Sequence, residues 1–143
     1  MKVSIIKNKT DQQVAFAIRE QVFVREQNVE KSDEYDDFEK TSNHYLAKKI
    51  NGEAIGTARW RTTKEGIKLE RFAVLKSERG KGVGSVLLSK MLDDIEKNVG
   101  KGKHLYLHAQ ESAMPLYKKY GFVKIGDIFD ECGILHYKMI KKT

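Results

Sequence analysis

The spacing of apolar residues predicts an amphipathic helix near the start of the chain. Val14, Ile18 and Val22 recur every four residues, which places them on one face of a helix. Thr10 and the glutamine three residues after it have the spacing of a capping box, which marks a helix start. The helix is therefore predicted to begin at Thr10 and to run to about Glu26.

Short apolar runs predict four strands in the first half of the chain. One strand precedes the helix over residues 3–7, and another is predicted over residues 67–75. Between them, residues 45–50 and 54–61 flank Asn51-Gly52, a dipeptide that favours the tight turn of a β-hairpin. The first half is therefore predicted to be a strand, a helix, a hairpin and a further strand.

The second half of the chain is predicted to alternate strands and helices. Its elements are a glycine-rich turn over residues 76–84, a helix from Val83 to Gly100, a strand over 105–109, a helix over 112–120, and closing strands over 122–125 and 134–140. Strand–helix–strand units imply a parallel pair of strands, and hairpins imply antiparallel ones. We expect an α/β fold with a central, mixed and mostly antiparallel sheet flanked by helices. Because the only proline is Pro115 and no linker interrupts the pattern, residues 1–143 are predicted to form a single domain.

The net charge of +7 raises the question of a nucleic-acid partner. However, the lysines are spread along the whole chain, without a dense basic block and without the interleaved aromatic residues of single-strand binders. A ligand that carries several phosphates explains a local positive site equally well. We therefore predict no nucleic-acid partner and keep a nucleic-acid-binding module as an alternative.

The sequence also gives an expectation for the cellular location of the protein. No stretch of about 18 apolar residues occurs, so no membrane span is predicted. Residues 1–7 are too short and too charged for a signal peptide, and we expect a cytoplasmic protein. The one cysteine, Cys132, cannot form an internal disulfide. Its acidic neighbours Asp130 and Glu131 are expected to raise the pKa of its thiol, which argues against a nucleophile.

Residues 27–42 form an acidic stretch in an otherwise basic chain. Its carboxylates are Glu30, Asp33, Glu34, Asp36, Asp37 and Glu39. The default interpretation of such a run is a solvated loop or short helix. The alternative is that it lines a site for a cationic amine.

The strand over residues 67–75, the glycine-rich turn and the following helix form a candidate anion site. The turn is Arg79-Gly80-Lys81-Gly82-Val83-Gly84-Ser85. The backbone N–H groups at a helix start have no partner inside the helix and bind phosphate, and glycines let the backbone approach the anion closely. The spacing fits neither the Rossmann fingerprint nor a Walker A loop, since no lysine follows Gly84. A glycine-rich turn without a ligand stays open as an interpretation.

Three segments resemble the GNAT superfamily of N-acetyltransferases. The turn Arg79-x-x-Gly82-x-Gly84 resembles the family's acetyl-CoA motif, [Q/R]-x-x-G-x-[G/A]. The strand Glu70-Arg71-Phe72-Ala73-Val74 precedes it, and Ala113-x-x-Leu116-Tyr117-x-x-x-Gly121-Phe122 follows in the expected order. The match covers roughly residues 43–140. Arg19-x-x-Val22-Phe23-Val24-x-Glu26-Gln27, His44 and Gly133-Ile134-x-His136 further resemble a subgroup of small bacterial acetyltransferases, the YjcF-like proteins.

The resemblance implies a site for acetyl-CoA, or coenzyme A, as a co-substrate. It implies that the strand before the turn carries a bulge and splays from the next strand, and that the pantetheine arm lies in the gap. Backbone groups of Phe72, Ala73 and Val74 would then pair with its amides. By the same resemblance, residues 79–85 hold the pyrophosphate. The resemblance also assigns Gln110, Ser112 and Tyr117 to the cofactor site.

For catalysis, the resemblance makes Tyr117 the general acid that protonates the leaving thiolate. Glu70 is the first choice as general base, with an ion pair on the sheet as an equally weighted alternative. Strand alternation would place Arg71 on the opposite side of the sheet from Glu70. His44, His108 and His136 are further candidates for the base, because imidazole titrates near neutral pH.

The expected reaction is direct attack of an amine on acetyl-CoA in a ternary complex. Candidate residues for the acceptor are Glu34, Arg59, His108 and His136. The acceptor is a small-molecule or peptide amine, and no metal site is predicted because no pair of histidines has ligand spacing. The number of subunits stays open, with a homodimer as one option. The alternative function is a non-catalytic acyl-CoA-binding or sensing domain.

Overall fold

The computed structural model describes all residues, 1–143, as one seven-stranded sheet flanked by helices. The strands are β1 (Lys2–Ile5), β2 (Asn43–Lys48), β3 (Ala54–Thr62), β4 (Ile67–Val74), β5 (His104–Gln110), β6 (Val123–Glu131) and β7 (Ile134–Lys142). Their order in the sheet is β1-β2-β3-β4-β5-β7-β6. Only β4 and β5 are parallel neighbours, and every other pair is antiparallel. The predicted mixed α/β fold is confirmed.

The helices lie between the strands in the predicted order. They are α1 (Lys9–Arg19), a π-helix (Glu20–Glu26), α2 (Lys31–Glu34), α3 (Val83–Asn98) and α4 (Met114–Lys119), with 3-10 turns at Lys76–Glu78 and Glu111–Ala113. None of these helices combines the length and the apolar character needed to cross a bilayer.

Two hydrophobic clusters cover opposite faces of the sheet. On one face, Leu87 and Met91 of α3 pack in the larger cluster, together with Tyr45 of β2. On the other face, Ile18 of α1 packs with Leu46 of β2. Since Tyr45 and Leu46 are neighbours on one strand, they point to opposite faces. The sheet is therefore sandwiched between α1 and α3.

Two element boundaries differ from the prediction. Helix α1 begins two residues earlier than predicted, because Asn8 rather than Thr10 is the cap. The Asn8 side chain accepts a hydrogen bond from the N–H of Asp11 at 2.8 Å. Strand β6 extends to Glu131, well beyond the predicted residues 122–125, because it is an edge strand that exposes both of its sides and so lacks alternation.

A splayed pair of strands positions the site. Strand β4 pairs with β5 only at Ile67–Leu105 and Lys68–Tyr106, and beyond these positions the two strands diverge. The edge of β4 from residue 69 onward therefore has no strand partner on the β5 side. The opening that results is the gap that the resemblance implies.

A bulge in β4 changes the direction of the Arg71 side chain near this opening. Arg71 and Phe72 together lie opposite the single residue Ala58 of β3, and Arg71 has a φ of +58°. This left-handed conformation turns Arg71 to the same side of the sheet as Glu70, where Arg71 donates to Asp36 at 3.3 Å. The alternation-based prediction that Arg71 faces the opposite side is therefore wrong, because a bulge breaks the period of two.

Candidate active site

A cavity of about 460 Å³ opens where β4 and β5 diverge. Among the predicted site residues, it is lined by Glu34, Glu70, Phe72, Val74, Arg79, Gly84, His108, Gln110, Ser112, Tyr117 and His136. The volume is that of a small-ligand site. The structure thus brings most of the predicted cofactor and acceptor residues around one space.

The glycine-rich turn borders one end of the cavity through Arg79 and Gly84, and its other residues lie outside the lining. Gly80 and Gly82 have φ values of +76° and +84°, and no atom lies within 4 Å of the position that a Cβ would take at either residue. Helix α3 begins with Val83 and has no side-chain cap and no acidic residue in its first turn. Its first N–H groups, those of Val83, Gly84 and Ser85, are therefore available to an anion.

Besides Tyr117, two of the residues predicted to bind the cofactor have buried side chains. Ala73 packs with α1, and Val83 packs in the larger core cluster. Only their backbone groups can meet a ligand, which is the role that the resemblance gives them. Phe72 and Val74, on either side of Ala73, are partly buried and line the cavity.

Tyr117 directs its hydroxyl into the cavity. Its ring is 6% exposed and packs edge-on against Phe72 and Phe122, with ring centroids 5.4 and 6.2 Å away. The hydroxyl has no hydrogen-bond partner in the protein, whereas the hydroxyl of Tyr120 donates to the Ser85 carbonyl at 3.3 Å. Burial raises the pKa of the Tyr117 phenol, which keeps its proton in place for donation.

Glu70 is held as an ionised carboxylate by three cations. Arg59 and Arg61 donate to it through Nε at 2.9 and 2.7 Å, and the Lys68 Nζ lies 3.3 Å away. Burial alone would raise the pKa of Glu70, but the charges of Arg59, Lys68 and Arg61 lower it to about 2. The ion pair that was the alternative interpretation is therefore present, and it makes this carboxylate a weak proton acceptor.

His108 faces Glu70 across the apex of the opening. The two residues lie two positions beyond the last paired residues, Lys68 on β4 and Tyr106 on β5, and on the same face. The Nδ1 of His108 lies 3.0 Å from Oε1 of Glu131, which leaves its Nε2 for the cavity. The hydrogen bond from His108 is the main cause that lowers the pKa of the Glu131 carboxyl.

The other two candidate histidines have different surroundings. The Nε2 of His136 lies 3.8 Å from Glu131, and its Nδ1 lies 2.7 Å from the Ile134 carbonyl oxygen. The Nε2 of His44 lies 2.7 Å from the carbonyl oxygen of Glu39, and His44 does not line the cavity. This position excludes His44 as a general base.

The structure corrects the prediction for Arg59. Its side chain is fully buried and does not line the cavity. The Nη2 of Arg59 lies 2.6 Å from Asp36, and its Nη1 lies 2.7 Å from Glu39. Together with the bond to Glu70, these contacts occupy the guanidinium. Arg59 therefore binds Glu70 from the side away from the cavity and cannot contact the acceptor.

The acidic stretch folds inward onto these arginines. Glu34 is 3% exposed and lies 2.6 Å from Nε of Arg19, while Glu39 binds both Arg19 and Arg59. The solvated-loop interpretation is therefore wrong for Glu34, Asp36 and Glu39, because buried arginines need carboxylate partners. For Glu34 the direction of the pKa shift is upward, with burial as the largest cause.

Sequence reasoning missed two contacts at the cofactor end of the cavity. The Nη atoms of Arg79 bind the carboxylate of Glu26, with Nη2 at 2.7 Å from Oε1. The side-chain amides of Gln27 and Gln110 bond reciprocally, at 3.0 and 3.3 Å. The one available signal was the subgroup motif that contains Glu26-Gln27, but nothing in it pointed to Arg79 or Gln110.

Comparison with known proteins shows that this chain is similar to acetyltransferases. Residues 5–143 match the acetyltransferase (GNAT) domain family. An uncharacterised N-acetyltransferase of Bacillus subtilis, YjcF, is 40% identical over 143 residues, with 99% of each chain covered. The crystal structure of Escherichia coli ElaA superposes with a TM-score of 0.86 at 27% identity, with 99% of each chain covered. An aminoglycoside 6'-N-acetyltransferase complexed with coenzyme A has the same fold, with a TM-score of 0.72 at 14% identity over 99% of this chain and 97% of that one.

Proposed function

The chain belongs to the GNAT family of acetyltransferases, and on that premise we propose that it transfers the acetyl group of acetyl-CoA to a primary amine. The family supports acyl transfer from coenzyme A to an amine, and the choice of acetyl as the acyl group is part of the proposal. Direct attack of the amine in a ternary complex is proposed because the exposed thiol of Cys132 is a poor nucleophile. Burial and then the charge of Asp33 raise the pKa of that thiol.

The observation that carries the proposal is the opening between β4 and β5. Pantetheine contains two amides, and the unpartnered edge of β4 offers donors and acceptors at amide spacing. The start of α3 lies at one end of the same cavity and offers free N–H groups to the pyrophosphate. A coenzyme A complex of another protein with this fold supports the assignment.

We propose Tyr117 as the general acid. As the amine nitrogen bonds to the acetyl carbon, the carbon–sulfur bond breaks and the leaving thiolate takes the proton of the phenol. The new amide nitrogen then gives up its surplus proton, which restores the phenol. The unpartnered hydroxyl of Tyr117 in the cavity supports this role. A backbone N–H near Val74 is proposed to polarise the thioester carbonyl.

For the general base, we propose His108 in preference to Glu70. An ammonium ion must lose a proton before it attacks, and imidazole is the side chain suited to accept one near neutral pH. Glu131 orients the imidazole from the far side, so that the Nε2 atom is the proton acceptor. Glu70, with its pKa of about 2, contributes negative charge near the incoming ammonium.

The acceptor is proposed to be a small-molecule or peptide amine that enters beside Glu34, His108 and His136. We propose a cytoplasmic location, which the lone free cysteine supports. A homodimer is proposed on the strength of β6, an edge strand with exposed Val123 and Ile125. Size-exclusion chromatography with light scattering would give the number of subunits.

A non-catalytic acyl-CoA-binding domain is the second candidate function. The ion pairs of Glu70 favour it, because they leave the chain without the base that was first predicted. The two functions differ in turnover, since a sensing domain binds acetyl-CoA and releases no thiol.

The experiment is to incubate the protein with acetyl-CoA and a panel of amines, and to follow thiol release and acetylated products by mass spectrometry. We expect an acetylated amine, with a rate that falls in His108→Gln and in Tyr117→Phe. Binding of acetyl-CoA without any thiol release would favour the sensing domain. A fall in rate for Glu70→Gln but none for His108→Gln would show that Glu70, and not His108, is the general base.

A further inference from the structure

Two consecutive residues at the end of the π-helix contact both walls of the cavity. Glu26 binds Arg79, which lies at the start of the glycine-rich turn. Gln27 binds Gln110, which is the last residue of β5. Arg79 and Gln110 are two of the polar residues that the resemblance assigns to the cofactor site.

The contacts of Arg79 with Glu26 and Val74 use three of the five N–H groups of the guanidinium. Both Nη atoms donate to the Glu26 carboxylate, and Nε donates to the Val74 carbonyl at 3.1 Å. The side chains of Glu26 and Arg79 are 31% and 40% exposed, so the pair is open to exchange with a dissolved anion. A pyrophosphate that approaches the same edge of the guanidinium has to displace the Glu26 carboxylate, because both anions would bind the same pair of N–H groups.

The contact between Gln27 and Gln110 joins the end of the π-helix to the end of β5 at the wall of the cavity. The NH₂ group of each side chain donates to the carbonyl oxygen of the other, at 3.0 and 3.3 Å. An amide of a ligand in the opening offers the same donor and acceptor as each glutamine. Such a ligand can therefore replace Gln27 as the partner of Gln110.

The π-helix fixes these two residues as a unit. The N–H of Gln27 donates to Val22 in the i to i+5 pattern of a π-helix, at 3.1 Å. The N–H of Val29 then donates to Phe23 at 2.8 Å, and Asn28 between them has a φ of +59°. This tight end of the helix holds Glu26 and Gln27 at the rim, so that a shift of the helix end moves both.

We propose that Glu26 and Gln27 form a latch across the path of the cofactor. On binding, the pyrophosphate replaces the Glu26 carboxylate on Arg79, and a pantetheine amide replaces Gln27 on Gln110. The latch lowers the affinity for coenzyme A, because each contact of the chain is broken before the corresponding contact of the cofactor forms. The proposal rests on the proposed function in one respect, which is that the cavity binds coenzyme A.

The test compares Glu26→Gln with Glu20→Gln as a matched control. Glu20 lies on the same π-helix, is 32% exposed and pairs with Lys31 at 3.5 Å, so its variant removes the same charge away from the cavity. Coenzyme A and pantetheine, which lacks the pyrophosphate, are titrated into each protein at low ionic strength, where exposed charges are least screened.

We expect Glu26→Gln to bind coenzyme A about two- to fivefold more tightly than the wild type, which is the scale of an exposed ion pair. Pantetheine should bind both proteins equally, and Glu20→Gln should match the wild type for both ligands. Weaker or unchanged binding of coenzyme A to Glu26→Gln would overturn the latch, as would an equal gain for pantetheine. A wild type that binds no coenzyme A would instead contradict the proposed function, and the latch with it.

Discussion

The two ends of the cavity are built in different ways. The proposed cofactor end is formed mainly by backbone groups, those of the turn over residues 79–85 and of the free edge of β4. The proposed acceptor end is lined by charged side chains, and behind them Glu39 bridges Arg19 and Arg59. A site made of backbone depends on local conformation. A site made of ion pairs depends on the whole fold.

This difference has a physical consequence for how each end responds to change. At the cofactor end, a side chain added at Gly80 or Gly82 meets no other part of the protein, so its cost to the fold is limited to backbone strain. At the acceptor end, removal of one charge leaves its buried partners with fewer opposite charges. Mutations at the acceptor end should therefore affect stability, and mutations at the cofactor end should affect binding.

The largest effect is expected at Arg59. The Arg59→Met variant leaves Asp36, Glu39 and Glu70 without their shared cation, and should lower the free energy of unfolding by about 3–5 kcal/mol. Urea unfolding measures this loss. The control is Arg25→Met, which replaces an exposed arginine and should change the free energy of unfolding by no more than about 0.5 kcal/mol. A loss below about 1 kcal/mol at Arg59 would show that the network does not hold the acceptor end together.

The same network should make the protein sensitive to acid. The pKa of Glu70 is lowered from 4.5 to about 2 in the folded protein, so the stability it contributes is present above pH 4.5 and is lost as the pH falls to about 2. This contribution is roughly 3 kcal/mol at one pKa unit per 1.4 kcal/mol. Urea unfolding as a function of pH should show a smaller loss over this window in Glu70→Gln than in the wild type. Equal losses of stability in the two proteins would show that Glu70 does not cause the sensitivity to acid.

Tyr117 is proposed to act in the reaction, and its hydroxyl is not expected to stabilise the fold. Tyr117→Phe removes the hydroxyl that has no partner in the protein, and should lower kcat about 100-fold while the affinity for coenzyme A stays the same. Tyr120→Phe is the control, because it removes a hydroxyl from the end of the same helix that bonds to the Ser85 carbonyl instead. Equal rates for the two variants would mean that Tyr117 is only a packing residue.

The smallest of the expected effects is a selective loss of binding at Gly82. Gly82 and Gly52 have φ values of +84° and +88°, and each has open space where a Cβ would lie. An alanine at either position should cost about 1–2 kcal/mol of strain. Only Gly82→Ala should also weaken coenzyme A binding, by about tenfold or more, because its methyl group lies where the anion approaches. A similar loss in Gly52→Ala would point to strain and not to the site.

The same contrast explains what the sequence could predict. The turn over residues 79–85, the hairpin at Asn51-Gly52 and the apolar face of α3 are encoded within a few residues, and the structure has them all. The position of Tyr117 in the cavity also followed, through a local motif. Each of these depends on neighbours in the chain, so spacing alone carries the information.

The features that escaped prediction depend on tertiary contacts. Arginine rarely adopts the left-handed conformation that Arg71 has. Because no glycine occupies this position, the sequence did not indicate the bulge. The pairing of Glu34 with Arg19 and of Glu26 with Arg79 joins residues 15 and 53 positions apart. Charges at such separations show no periodicity, and the acidic stretch therefore looked like a solvated run.

The most direct test of the central claim is calorimetric titration of acetyl-CoA into the purified protein, with ATP and NAD as control ligands. The account predicts binding of acetyl-CoA in the micromolar range, no comparable binding of ATP or NAD, and loss of acetyl-CoA binding in Gly82→Glu. Absence of acetyl-CoA binding, or equal binding of all three ligands, would contradict it.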